Sequence, residues 1–302
     1  MNIVEYFRSH VMTSIMSTPS VQIVWPVIRT SLLENIKNHS QPIKEEIFNL
    51  GDYLSDAFLS VGGGREQGSL SSAGTVWESL VAWYLNLCLC GTAAVAIKGK
   101  KGFYPEGIDS ALTVTHENYP LRSESDMVLV YLEDDAILEE IDSSESALLA
   151  FKRIVTSRFE QVKVINIQCK TNWNDNAQIP MLWNLVYSPN FHHDSVSIGV
   201  NKFNIANLAM FRYAFVTVPT QKNLSKFSPS SIPVLRVKTL SGGAYWGRPT
   251  KKAVCSSIKE IFGKHQTNAG LPNVRVIGEG YTNSITNAST GIDWKVYSLV
   301  VS

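Results

Sequence analysis

Two apolar runs constrain this chain most. "DMVLVYL", Asp126 to Leu132, is a near-continuous apolar run, and "VKVINIQCK", Val162 to Lys170, opens as a buried strand with Gln168, Cys169 and Lys170 at its exit. Strands that alternate apolar and polar residues cover a core with one face only. Runs like these suit strands buried on both faces, in the middle of a sheet with helices above and below. Around them the period changes to that of helices. "SSESALLAFKRIVTSRFEQ" has an amphipathic pattern with a Ser cap and an acidic first turn. "NIVEYFRSHVMTSIM" and "PIKEEIFNLGDYLSDAFL" have helical spacing, with Pro19 breaking the first and Pro42 near the start of the second. Alternating strands and helices predict an α/β fold, a mixed β-sheet flanked by helices.

Further elements fill this frame. "GTVWESLVAWYLNLCLCG" reads as a long helix with Thr75 capping its start, Glu78 at the third position after the cap and Gly91 ending it. "AAVAIKG" and "YAFVTVP" read as strands, and "IPVLRVKTL" as another. "NKFNIANLAMFR" and residues 177–187 read as helices. The region 99–122 reads as a long loop with a hairpin. The glycine- and serine-rich stretch Ser60 to Gly74 reads as a flexible loop. "RPTKKAVCSSIKEIFGK" reads as a late helix, and "VRVIG" and "WKVYSLVV" as strands in the tail. The division expected is an N-terminal helical region over 1–70 and the main domain over 71–302, or one domain throughout.

The 302 residues are enough to bury a large core. A formal net charge of +1 neither requires nor excludes a polyanionic partner, because a cleft can be locally basic on a neutral protein. Glu5, Arg8 and His10 stand where a signal peptide needs an apolar core, and Glu78, Asn86 and Gly91 interrupt the most apolar stretch, so no membrane span is expected. Cys88, Cys90, Cys169 and Cys255 are too few and scattered for a disulfide framework, and Cys88 and Cys90, without a zinc spacing, read as buried thiols of a reduced, intracellular protein. G-x-S-x-G is absent, and no G-x-G-x-x-G follows a strand, which removes the common hydrolase and dinucleotide signatures.

What remains is a constellation of acids and a lysine. Asp126 heads one buried strand, and Gln168 and Lys170 close another. Glu78 opens the long helix, where it is either a functional acid or the capping-box partner of Thr75. Carboxylates hold Mg²⁺ through hard oxygen ligands. Such a metal lowers the pKa of bound water and neutralises charge on a phosphate, and a lysine adds a point cation beside it. Glu124, Asp134 and Asp135 are alternative acids near the same strand.

This pattern resembles the PD-(D/E)xK nucleases, in particular type II restriction endonucleases, over residues 75–220. The resemblance implies a restriction-endonuclease-like core and Mg²⁺-dependent, sequence-specific hydrolysis of double-stranded DNA. It makes Asp126 and Glu78 the metal ligands, with the backbone carbonyl of Cys169. Gln168 becomes a weak ligand or water-positioning group, and Lys170 acts on the nucleophile or phosphate. Two positions depart from the pattern: Gln168 replaces the usual acid and Ser125 the usual proline. The helix read over 143–160 fills the long gap between Asp126 and Lys170. The resemblance further implies a homodimer on a palindromic site, a cognate DNA methyltransferase as genetic companion, and a bacterial cytoplasmic location. A modification-dependent nuclease of Mrr type and an inactive nuclease-fold DNA-binding protein are the alternatives, both prompted by Gln168.

Two segments are candidates for DNA contact. "TNWNDNAQ" supplies Asn172, Asn174, Asn176 and Gln178, whose amides can bind base edges and phosphates, or which simply form a turn. Asp175 is a minor candidate for the metal shell. "SGGAYWGRPTKK" supplies Tyr245, Trp246, Arg248 and Lys251 in a glycine-rich loop expected to open a helix. The clusters "KGKK" at Lys98 to Lys101 and "GGGREQGS" are basic or mobile surface by default. His192 and His193 are adjacent on the chain and poorly share a metal.

Overall fold

The computed structural model describes residues 3–35, 44–61, 70–90, 92–99, 102–116, 119–122, 125–132, 147–174, 196–220 and 223–251. The helices are α1 (Ile3–Met16), α2 (Pro19–Leu33), α3 (Lys44–Asn49), α4 (Leu54–Ser60), α5 (Leu70–Cys88), α6 (Glu106–Ala111), α7 (Ala147–Ser157) and α8 (Ile232–Leu240). The strands are β1 (Ala94–Lys98), β2 (Thr113–His116), β3 (Tyr119–Arg122), β4 (Met127–Leu132), β5 (Val162–Lys170), β6 (Val196–Ile198), β7 (Met210–Thr217) and β8 (Tyr245–Gly247).

Five strands form the main sheet in the order β1-β4-β5-β7-β8, and β3-β2-β6 form a smaller one. The sheet is mixed. β1, β4 and β5 run antiparallel in turn, whereas β7 is parallel to β5 and β8 parallel to β7. The two apolar runs thus occupy interior positions, and nearly every residue in them is buried. The fold is a mixed α/β architecture with a helix-flanked sheet, as expected.

Helix α5 organises the core. Trp77, Val81, Ala82, Trp83, Tyr84, Leu85, Leu87 and Cys88 are all fully buried, so this helix is apolar around its circumference and is enclosed by α1, α2, α4 and the sheet. Asn86 is its buried polar residue next to β1. Its amide donates to the Ala96 carbonyl at 2.7 Å and accepts from the Ala96 N–H at 3.0 Å. β1 is the outermost strand of the sheet, and Asn86 satisfies edge groups that would otherwise be buried without partners.

The N-terminal helices join the same core. Val4, Phe7, Val11 and Met12 of α1 cluster with α5, β1 and β4, and Phe7 stacks on Phe151 of α7 at 4.2 Å. The residues of 1–70 that are described and those beyond 70 therefore share one hydrophobic cluster. No single helix among the described residues is long and apolar enough to cross a membrane. Cys88 and Cys90 are buried thiols outside any disulfide, as expected, Cys169 is buried as well, and Cys255 lies outside the described residues.

Three expectations are corrected. Residues 70–74 are helical, because α5 starts at Leu70 and runs through a stretch expected to be loop. "IPVLRVKTL" forms helix α8, not a strand. Proline sits in its first turn, where its missing N–H costs nothing, and Val234 and Val237 bury one face against Phe227, Phe215 and Trp173. Residues 201–209 form turns and a single 3₁₀ turn instead of a helix. Gly199 and Asn201 have positive φ, and Asn204 caps the turn by accepting from the Ala206 N–H. The helices expected over 177–187 and after Thr250, and the strands of the tail, lie outside the described residues.

Candidate functional site

The antiparallel register of β4 and β5 places the acid opposite the glutamine. Met127 pairs with Ile167, so Asp126, one residue earlier, stands across from Gln168 where the strands end. Side chains alternate along a strand, which puts Asn166, Gln168 and Lys170 on one face. Lys170 then reaches Asp126: its Nζ is 3.2 Å from Asp126 Oδ2, with both side chains largely buried. The same oxygen accepts the Cys169 backbone N–H at 2.8 Å. Within an antiparallel strand the N–H and C=O of one residue point to the same neighbour. The Cys169 carbonyl therefore faces the side on which Asp126 lies.

Glu78 arrives from α5. Because the helix begins at Leu70, Thr75 lies inside it and caps nothing, so the capping-box reading of Glu78 is overturned. Glu78 Oε2 instead lies 3.5 Å from Lys98 Nζ, at the end of β1. Burial raises its carboxyl above the ordinary 4.5, and the charge of Asp126 raises it further, whereas Lys98 and Lys170 pull it down. The β1–β4 register, with Lys98 across from Met127, sets the Glu78–Lys98 pair next to the Asp126–Lys170 pair. The Cys169 thiol is held protonated, first by burial and then by Asp126 and Glu78, so it is no nucleophile.

Several supporting residues were not read from the sequence. Ser125 Oγ donates to Asn166 Oδ1 at 2.8 Å, and the Tyr104 hydroxyl donates to the Ser125 carbonyl at 3.2 Å. Burial raises the Tyr104 hydroxyl far above its ordinary range, so it remains a donor. Ser125, the departure from the expected proline, thus ties the start of β4 to β5 and to the loop after β1. Gly99 donates its N–H to the Asp126 carbonyl at 2.8 Å. A methyl group at Gly99 would overlap the Ser125 carbonyl oxygen, so only glycine permits this approach. Lone polar residues in loops carry no periodic signal, and only the neighbouring "KGK" hinted at Lys98.

We expect Gly99→Ala to lower stability by about 1–3 kcal/mol, the range for overpacking a closed site. Urea unfolding would measure it; an unchanged midpoint would mean that the loop after β1 simply moves aside.

The expected DNA-contact residues separate into groups. Trp246 is fully buried and Tyr245 nearly so, as part of β8. Tyr245 packs against Trp173, whose indole N–H donates to the Arg248 carbonyl at 2.8 Å. These rings are core, and the expectation that they stack on DNA is corrected: a ring enclosed on both faces has none to offer a base. Their loop follows α8, and Gly242 and Gly243 adopt the positive φ that ends that helix. Arg248 pairs with Asp56 at 3.2 Å, and Lys251 lies over the Tyr245 and Trp246 rings. Asn172 accepts the Asn174 N–H at 3.0 Å, forming a turn, with Asn174 exposed. Asp175, Asn176, Gln178, His192, His193, Glu124, Asp134, Asp135, Lys100, Lys101 and the GGGREQGS loop lie outside the described residues.

Among the described residues no cluster of three His, Cys, Asp or Glu side chains forms. The oxygen donors at this site are two carboxylates, Glu78 and Asp126, with the Gln168 amide and the Cys169 carbonyl at the same strand ends. Oxygen donors are the kind that hard divalent cations take, and these supply fewer charges than three acids would. Compared with known proteins, no family model, curated sequence or solved structure matches this chain.

Proposed function

We propose that the protein is a Mg²⁺-dependent DNA endonuclease of the type II restriction kind, built on a restriction-endonuclease-like core. The observation that carries this reading is the Asp126–Lys170 contact at 3.2 Å between adjacent strand ends, with the Glu78–Lys98 pair set beside it by the β1–β4 register. Glu78 and Asp126 would hold the cation, aided by Gln168 and the Cys169 carbonyl. When bound, the cation activates water and offsets charge on the phosphate. The chain's own contributions are positional. The Cys169 N–H fixes the Asp126 carboxylate, and Lys170 presents a cation for the phosphate or the attacking water. A twofold homodimer follows if the recognition site is palindromic, and a cognate methyltransferase would protect the host's own copies.

The deciding experiment is digestion of unmethylated and methylated plasmids with Mg²⁺. Discrete fragments from unmethylated DNA are expected. Cutting that needs methylation would replace this reading with the modification-dependent one. Gln168 in place of an acid favours a second reading, a DNA-binding protein that does not cut, and binding without fragments would select it.

Glu78 also sets a pH dependence. A carboxyl raised in the folded state binds its proton more tightly than in the unfolded chain. Stability without metal therefore falls as pH rises from 4.5 through the raised value. The ionised form that binds metal is lost as pH falls through that same value. Melting temperatures across pH, with and without Mg²⁺, should show the metal's stabilisation growing with pH above 4.5. In Glu78→Gln this pH dependence should flatten; its persistence would assign it to another group.

A further inference from the structure

The site holds a second lysine that the acid-and-lysine pattern does not use. Lys98 ends β1, and its side chain is only 16% exposed. Its ammonium donates to Ser79 Oγ at 2.8 Å and the Thr75 carbonyl at 3.1 Å, and lies 3.5 Å from Glu78 Oε2. All three partners lie on α5. The ammonium therefore sits against one of the two carboxylates that would hold the divalent cation.

The charges of the site balance without metal. Glu78 and Asp126 contribute two negative charges, and Lys98 and Lys170 two positive ones. A divalent cation between the carboxylates leaves the cluster doubly positive, and it competes directly with Lys98 for Glu78. Lys98 and Gly99 also line a cleft of about 360 Å³, whose walls include Ser14, Thr18 and Phe103. The Lys98 side chain therefore borders both Glu78 and this cleft.

Resting on the nuclease reading, we propose that Lys98 is a placeholder cation: it neutralises Glu78 until a divalent metal takes the carboxylate, and the released ammonium then binds a DNA phosphate at the adjoining cleft. The metal would thereby switch on attraction for the polyanion as well as the chemistry. A resting site with no net charge discourages unproductive DNA binding, whereas the loaded site favours it.

The test uses the full chain, a short DNA duplex, and Ca²⁺ in place of Mg²⁺ so that hydrolysis does not consume the duplex. Lys98→Met should weaken the Ca²⁺-loaded DNA affinity roughly three- to ten-fold, the weight of one phosphate contact, and the metal-free affinity clearly less. Glu78→Gln, which releases Lys98 permanently, should tighten metal-free binding; this arm stands if Lys98→Met fails to fold. Equal weakening of Lys98→Met with and without metal would make Lys98 an ordinary basic contact and overturn the proposal. So would no weakening in either state, which would make it a strut between β1 and α5. Calorimetry with Ca²⁺ alone separates the two ideas. There Lys98→Met should bind the ion about five-fold tighter, as expected for removing one partly buried competitor. Tighter ion binding in a chain that binds no DNA would sink the nuclease reading and the phosphate step while keeping the placeholder. Unchanged or weaker ion binding would overturn the placeholder itself.

Discussion

Lys170→Met and Asp126→Asn are each expected to reduce Mg²⁺-dependent DNA cleavage by at least about 100- to 1,000-fold, the loss seen when one preorganised charge is removed from a reacting centre. The two changes are chosen to leave packing intact. Methionine keeps the apolar stem of Lys170, and asparagine keeps an oxygen to accept the Cys169 N–H now held at 2.8 Å. DNA affinity should change far less than turnover in either variant. Metal binding should weaken in Asp126→Asn and persist in Lys170→Met, because only the first removes a ligand. Undiminished cutting by both variants would mean that the reaction occurs elsewhere on the molecule.

The second large effect concerns stability and lies far from the reaction. Arg8 is fully buried in α1, and its guanidinium makes a two-pronged contact with Glu5, with both distances at 3.1 Å. It also donates to the Ala94 carbonyl at 2.7 Å and the Thr92 carbonyl at 3.0 Å, which ties the first helix to the start of β1. Glu5→Ala would leave a buried guanidinium without its counter-charge and should cost about 3–5 kcal/mol. Replacing both residues with apolar ones of similar volume should cost less than Glu5→Ala alone, because no charge is then left buried. Denaturant unfolding of the two variants measures the difference. If Glu5→Ala loses under about 1 kcal/mol, as for an exposed pair, water reaches Arg8 in solution.

The same pair shows where sequence reasoning reaches its limit. In the sequence Glu5 and Arg8 are isolated charges with nothing local to mark them as core. They are three residues apart on a helix, a spacing common to exposed pairs and buried ones alike. Only the docking of α1 against β1 and α7 encloses them. Glu78 follows the same logic. Its distance from Thr75 fits a cap, and that reading fails only because the helix extends back to Leu70, through residues whose composition is that of a loop. Tyr245 and Trp246 look available in a glycine-rich loop, but β8 pairs with β7, which buries Tyr245 with Trp173 and the α8 valines and Trp246 in the main core. "IPVLRVKTL" carries β-branched residues that favour a strand, but burial of Val234 and Val237 on one face overrides that preference.

The sequence by itself determined the strands at the centre of the sheet, the helix between β4 and β5, and the placing of Asp126 and Lys170 at strand ends. Those features rest on long apolar runs and on alternation, which are local and repeated many times over. Tertiary structure alone decided that Asp126 faces Lys170, that Glu78 joins them, and that Lys98 stands beside Glu78. These contacts depend on strand register and on how α5 lies against the sheet edge. Each comes from a single pair of residues far apart in the chain, and a single pair leaves no period to read.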